Sequence, residues 1–365
     1  MPNVPVHSGM PFRTSRDVPR TAEMVMRGHP DKYCDQVADY ILDSCLERDD
    51  RSRVAIECLA KNDLIVISGE VTTRAAVDWC GIAQHVYRTV GYGPADRLTV
   101  IPFVSRQSAE ISAGVDTNGA GDQGIMIGYA TDETPEALPL EYVLARKLAW
   151  KLESLRGEFP WLGADGKTQV TLENGHLRSV VIAVQHSALI PIGDVRAVML
   201  DRVIHSIVGS EVPRVVINGT GPFTVGGLYA DAGVVGRKIV SDAYGPRVPV
   251  GGGAYSGKDP TKVDRSAAYA ARQIARSVVA HGIGGAKECL VAIAYAIGQR
   301  HPEMVTAVTD KGLDVASWVH EQFPDLSPDA TIERLGLRKP TGWSYSQTAA
   351  YGHYGRSEFP WEAVS

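Results

Sequence analysis

No apolar run in this 365-residue chain approaches the ~20 residues that cross a bilayer, so no membrane partner is expected. Positive charge is not in excess either. Lysine and arginine number 37 against 42 aspartates and glutamates, and a net charge of -5 leaves no basic footprint for nucleic acid or anionic lipid. Any phosphate binding must therefore be local. The five cysteines, Cys34, Cys45, Cys58, Cys80 and Cys289, contain no CxxC pair and are too few for a disulfide framework in a chain of this length. They are expected to be reduced thiols in a cytoplasmic protein. No Cys/His cluster has metal-ligand spacing, and no G-x-S-x-G elbow offers a serine nucleophile. The opening segment, rich in proline and arginine, lacks an apolar signal core, and a mobile arm is expected over residues 1–20.

What the chain does contain is a core's worth of apolar residues, 44% of the total, arranged in a pattern that repeats. A helix over DQVADYILDSCLERD precedes two strands, RVAIECLA and LIVISGEVTT, then a helix from about Arg74 to Val90 and the strand RLTVIPFVS. The same order returns from LEYVLARKLAWKLESLR, through a hairpin turning at Asn174-Gly175, to the helix DVRAVMLDRVIHSIVG and the strand RVVIN. A third round runs from DRSAAYAARQIARSVVAHG to LDVASWVHEQF. The fold class expected is α+β, with three pseudo-repeated domains, each a sheet with helices on one face. Boundaries are placed at 21–108, 114–222 and 223–365, with segments free to interleave. Two long irregular stretches, Ser105 to Pro139 and Asn218 to Lys262, are expected to carry function.

The second stretch includes GGGAYSGKDPTKVDRS, which resembles a phosphate loop without being one. Asp259 stands where a Ser or Thr should hold Mg²⁺, and Pro260 follows almost at once. A glycine-rich turn is the plain alternative. Its neighbours favour a polyphosphate: Lys258, Lys262 and Arg265 supply cations, while Asp259 and Asp264 supply the hard oxygens that Mg²⁺ shares with substrate phosphates. GHPDK places His29, Asp31 and Lys32 just before a helix, where the N-terminus favours anions, although these could equally be solvated capping residues. NGAGDQG contributes Asp122 among glycines, and ADAGVVGRK ends in Arg237 and Lys238. Alternation in RVAIECLA puts Glu57 among apolar neighbours, where a buried carboxylate would need a partner cation. Together these residues describe a nucleotide polyphosphate site with divalent metal.

GHPDK, GAGDQG, GGGAYSGKDPTKVDRSAAYAAR and the closing TAAYGHYGRSEFPWE resemble, in order from about Thr21 to Trp361, the signature segments of the methionine adenosyltransferase (S-adenosylmethionine synthetase) family. The resemblance implies three pseudo-repeated α+β domains and a homodimer or dimer of dimers with active sites between subunits. It also implies sulfur attack of L-methionine on C5′ of ATP, release of triphosphate, and hydrolysis of that triphosphate to pyrophosphate and phosphate. Two Mg²⁺ ions per site and K⁺ are implied as cofactors. Matched motif by motif, His29 would lie beside the leaving triphosphate, with Lys167, Arg237, Lys238, Lys258 and Lys262 along the phosphates. Asp31 and Asp264 would each hold Mg²⁺, and Glu57 would hold K⁺. Glu70 and Gln107 would hold the methionine amino-acid group, Phe223 would stack on adenine, Ile297 would pack near methionine, and Asp122, Asp165 and Asp231 would line the substrate pocket.

Some positions depart from the family. Met26-Arg27 stands where Ser-Glu is usual, GTGPF (Gly219 to Phe223) puts Pro222 in place of an arginine, and Glu110 replaces an aspartate. These leave two alternatives open: the same chemistry on a methionine analogue or another nucleoside triphosphate, and a non-catalytic nucleotide-binding homologue.

Overall fold

The computed structural model describes residues 18–106 and 119–365, so Gln107, Glu110 and residues 1–17 of the expected arm lie outside the described residues. The chain runs through β1 (Arg20–Val25), α1 (Pro30–Arg48), β2 (Arg53–Lys61), β3 (Leu64–Thr72), α2 (Trp79–Val90) and β4 (Thr99–Ser105). A second unit comprises β5 (Gly124–Thr131), α3 (Leu140–Leu155), β6 (Leu162–Glu173), β7 (His176–His186), α4 (Ile192–Val198) and β8 (Arg214–Ile217), with a π-helical segment, Met199–His205, prolonging α4. The third has β9 (Gly233–Val234), α5 (Ile239–Asp242), α6 (Val263–Ala280), β10 (Glu288–Tyr295), β11 (Met304–Thr309) and α7 (Ala316–Gln322). Two short helices, α8 (Pro328–Arg334) and α9 (Tyr345–Thr348), follow.

These strands make three sheets, in the orders β1-β6-β7-β8, β9-β2-β3-β4 and β5-β10-β11. In the first two sheets the central hairpin is antiparallel to its leading strand and parallel to its last, the helix α4 or α2 making the crossover. The third follows the same plan but ends at β11 among the described residues. Each leading strand comes from another unit. β1 pairs with β6 of the second unit, β5 with β10 of the third, and β9 with β2 of the first. The exchange is cyclic, so separating any unit would leave sheet edges with unpaired backbone groups.

One helix of each unit packs on the inner face of its sheet. Val37, Ile41 and Leu42 of α1 meet Val54, Ile56 and Ile67, all buried; α3 and α6 do the same over β6 and β10. The outer face of the β9-β2-β3-β4 sheet stays bare. Leu59, Ile101 and Phe103 are exposed on the β9-β2-β3-β4 sheet, Phe103 to 78%. Between the three inner helices runs the carboxy-terminal segment. Trp361 stacks on Tyr269 of α6 at 3.6 Å, Glu362 pairs with the buried Arg272 at 2.7 Å, and Arg146 of α3 donates to the Tyr354 carbonyl at 2.6 Å. No helix among the described residues is long and apolar enough to cross a membrane.

Several local expectations are corrected. The helix expected from Arg74 begins at Trp79, because Asp78 caps it by accepting the Gly81 N–H at 2.8 Å. The stretch from Ser105 to Pro139 is not wholly irregular, since it contains β5, and Asn218 to Lys262 contains β9 and α5. All five cysteines are free thiols.

Candidate functional site

The expected site residues fall into two sets, and the first gathers at the amino end of α1. Pro30 opens the helix, its fixed φ and missing N–H suiting the first turn, and His29 caps it with Nδ1 accepting the Asp31 N–H at 3.2 Å. With Nδ1 an acceptor, the ring proton sits on Nε2. Burial, reinforced by the ammonium groups of Lys238 and Lys167, pulls the His29 pKa down to about 3, so the ring is neutral at pH 7. Asp31 is fully buried. Its Oδ1 accepts the Val234 N–H at 3.0 Å, its Oδ2 takes Lys238 Nζ at 2.5 Å, and Arg237 Nε stands 3.6 Å from Oδ1. Desolvation would raise the Asp31 pKa, but the Lys238 and Val234 hydrogen bonds outweigh it and hold the carboxyl below its ordinary value.

Lys167, exposed on β6 opposite Val25, and Asp231, exposed after Tyr229, both act electrostatically on His29. Asp165 is buried beside them with Oδ2 accepting the Gly227 N–H at 2.9 Å, and burial raises its pKa against the pull of that amide and of Lys167. Phe223 is held by its backbone to the buried His186 at the end of β7. His186 Nε2 accepts the Phe223 N–H at 3.2 Å, and the Phe223 carbonyl accepts the His186 N–H at 2.9 Å.

The second set lies across the outer face of the β9-β2-β3-β4 sheet. Residues 257–259 run along the β9 edge of β2: Lys258 bridges Ala55, Ile56 N–H donates to the Gly257 carbonyl at 3.0 Å, and Asp259 N–H to that of Val54 at 3.0 Å. Cross-strand register then puts Lys258, Ala55 and Glu70 in one row and Glu57 and Ser68 in the next. Lys258 Nζ reaches Asp264 Oδ2 at 2.7 Å, and Gly253 N–H donates to Asp264 Oδ1 at 3.2 Å. The glycine run follows from crowding. A Cβ on Gly251 would come within 2.2 Å of the Ile125 carbonyl, and one on Gly252 within 2.2 Å of Asp264 Oδ1. The segment of Asp122 adjoins this loop, because Gly124 borders Asp264, and Ile297 lies beside that segment, because Gly298 and Gln299 pair with Ala120 at 2.8 Å.

No hydrogen bond or ion pair joins these named residues of the first set to those of the second. Among the described residues no group of three or more His, Cys, Asp or Glu forms a metal-binding set.

The burial expected for Glu57 is overturned. Only one face of β2 is covered by α1, and Glu57 lies on the other, exposed; the desolvation that remains raises its pKa, with Lys258 opposing. Lys262 is tied to Asp259 at 2.6 Å, and Asp259 is structural, since Oδ2 also accepts the Val54 N–H at 2.7 Å. Of the departures before GHPDK, Met26 packs, buried against Gly166, and Arg27 acts electrostatically on Glu153.

A ladder on α1 escaped the sequence reading. Asp31, Asp35, Asp39 and Asp43 recur every four residues, one stripe of a helix, and each grips a different segment. Asp35 takes Lys32 Nζ and the Gly236 N–H, both at 2.9 Å. Asp39 holds Arg265 in a two-pronged pair at 2.7 and 2.9 Å and accepts the Gly257 N–H at 2.8 Å. Asp43 accepts the N–H groups of Tyr345 and Ser346 at 2.8 and 2.9 Å. The four-residue spacing of acids along the helix was the available signal.

Comparison with known proteins identifies the family. Residues 17–109, 117–223 and 225–363 match the amino-terminal, central and carboxy-terminal domains of S-adenosylmethionine synthetase. The chain is 44% identical to an S-adenosylmethionine synthase of Desulforudis audaxviator (strain MP104C), the alignment covering 94% of this chain and 95% of that protein. It is also 44% identical to one of Sorangium cellulosum (strain So ce56), over 94% of this chain and 86% of the relative. With all three domains matched in order along nearly its whole length, the chain belongs to the S-adenosylmethionine synthetase family.

Proposed function

We propose that this protein is a methionine adenosyltransferase, joining the sulfur of L-methionine to C5′ of ATP with loss of triphosphate and subsequent hydrolysis of that triphosphate. The observation that carries the reading is the group at the start of α1: a buried, neutral His29 and the buried Asp31 carboxylate, with the partly exposed cations Lys238 and Arg237 beside them. Sulfur needs no general base, so the chain's contribution is to position the reactants and stabilise charge growing on the leaving group. His29, with Nδ1 occupied, presents Nε2–H as a donor to a leaving oxygen. Lys238, Arg237 and Lys167 supply fixed positive charge around it. Phe223, anchored by His186, offers a ring for the base. Glu70, Gln107, Asp122, Asp231 and Ile297 serve the two substrates.

The donor set suits Mg²⁺. Asp31 and Asp264 are single carboxylates, each engaged by a lysine, and Mg²⁺ is commonly bound by one or two carboxylates together with substrate phosphates. Asp31 and Asp264 would each hold one ion, which supplies further neutralisation of the triphosphate; Glu57 would hold K⁺. We also propose that the two sets complete one another across a homodimer or dimer of dimers. The second set lies on an uncovered sheet face whose exposed Leu59, Ile101 and Phe103 form an apolar surface suited to a second copy. ATP and L-methionine with Mg²⁺ and K⁺ should yield S-adenosylmethionine, pyrophosphate and phosphate; absence of product would overturn the reading. A panel of thioether amino acids and of other nucleoside triphosphates tests whether Pro222 has shifted substrate choice.

A further inference from the structure

Arg237 and Lys238 lie between two points that α1 fixes from below, a backbone amide and a side-chain carboxylate. On the amino-terminal side, the Gly236 N–H donates to Asp35 Oδ1 at 2.9 Å. On the carboxy-terminal side, Asp242, the last residue of α5, pairs with Lys32. Lys32 closes the loop, its ammonium also reaching Asp35 Oδ2 at 2.9 Å. The three side chains are at most 4% exposed. The Asp242 carbonyl also accepts the His353 N–H at 2.9 Å, which fixes α5 from the carboxy-terminal segment.

We propose that Lys32, Asp35 and Asp242 form a buried positioning clamp that sets Arg237 and Lys238 against Asp31 and the nucleotide triphosphate. The inference rests on the functional reading above. Arginine and lysine carry long, flexible stems, so their heads can be preorganised only if the backbone beneath them is immobile. A buried ion cluster is a poor device for stability alone, because apolar residues of similar volume often serve as well. Here it delivers what apolar residues cannot: an acceptor for the Gly236 N–H and a tether on α5. The clamp side chains hold the Gly236 amide and one another, and they act on the pair through the backbone between Gly236 and Asp242.

A double-mutant cycle tests this, read both as turnover of ATP and methionine and as calorimetric affinity for inorganic tripolyphosphate. Asp35→Asn should lower kcat roughly tenfold to a hundredfold, the scale of a small misplacement of positioned groups, and leave KM for methionine unchanged. In a Lys238→Ala background the same change should cost little more, because its effect passes through that residue. Lys32→Arg should retain more turnover than Lys32→Met. Asp43→Asn, at the far end of the ladder, should lower the melting temperature without coupling to Lys238. Losses that simply multiply in the double variant, for turnover and tripolyphosphate alike, would overturn the clamp. If Asp35→Asn fails to fold, Asp242→Asn runs the same cycle with the same two outcomes. A wild-type protein that neither turns over ATP and methionine nor binds tripolyphosphate would instead overturn the functional reading.

Discussion

His29 gives the sharpest expectation at the scale of single residues. Its folded pKa of about 3 lies below the ordinary 6.5, so folding favours the neutral ring. The stability this contributes is complete above about pH 6.5 and is lost as pH falls toward about 3, where the folded ring also takes a proton. The profile of kcat/KM, which reports the free protein, should therefore show no limb from His29 between about pH 5 and 8. An inflection near 6.5 that disappears in His29→Gln would contradict this. Pro222 is exposed, and the backbone of its neighbour Phe223 is secured by His186, so Pro222→Arg should fold normally. Stacking alone tolerates any base, since every base presents a π-face. The arginine variant should therefore favour ATP over GTP more strongly than the wild type, measured as the ratio of kcat/KM values. Equal ratios would make Pro222 a neutral substitution.

Helix α1 is the element through which these residues are arranged. Its aspartate ladder reaches Val234 and Lys238, then Gly236, then Gly257 and Arg265, then Tyr345. The rung Asp39–Arg265 is fully buried on both sides. Asp39→Ala should destabilise the fold by about 3–5 kcal/mol, the usual penalty for leaving one buried charge unpaired. Urea unfolding measures it, and a loss under about 1 kcal/mol would mean that Arg265 is solvated or re-paired in the variant. Replacing both partners with apolar residues should recover part of that loss. Helices and central hairpins were readable because their period and turns are local: Asn174 and Gly175 both take positive φ, as the hairpin turn requires. β1 and β5 were not recognised. Their partners, β6 and β10, are more than a hundred residues away, and nothing nearby in sequence marks them as strands.

For the whole molecule, the carboxy-terminal segment and the uncovered sheet face make separate expectations. Glu362 pairs with buried Arg272 and with Arg276, so Glu362→Ala should lower stability by about 3–5 kcal/mol in the same unfolding assay, with little change in KM. An unchanged midpoint would show that the segment is only draped over the surface. If each site takes its two sets from different subunits, Asp31→Asn and Lys258→Ala proteins should be inactive alone and complementary when mixed. Random pairing makes half the dimers mixed, each with one intact site, so activity should return to about a quarter of wild type. No recovery after denaturation and joint refolding would place both sets in one subunit's site.

The sequence by itself determined the family, the α+β repeat, and the chemical character of the site, because glycines, cations and carboxylates in ordered motifs reflect the ligand that they would contact. Only the tertiary structure decided which sheet each leading strand joins, that Glu57 faces outward, and that Lys258 and Lys238 belong to different sets. Those outcomes depend on which surfaces α1, α3 and α6 cover and on pairings between residues far apart in the chain. Alternation along a strand names two faces but not which one is buried; that choice belongs to whatever packs against them.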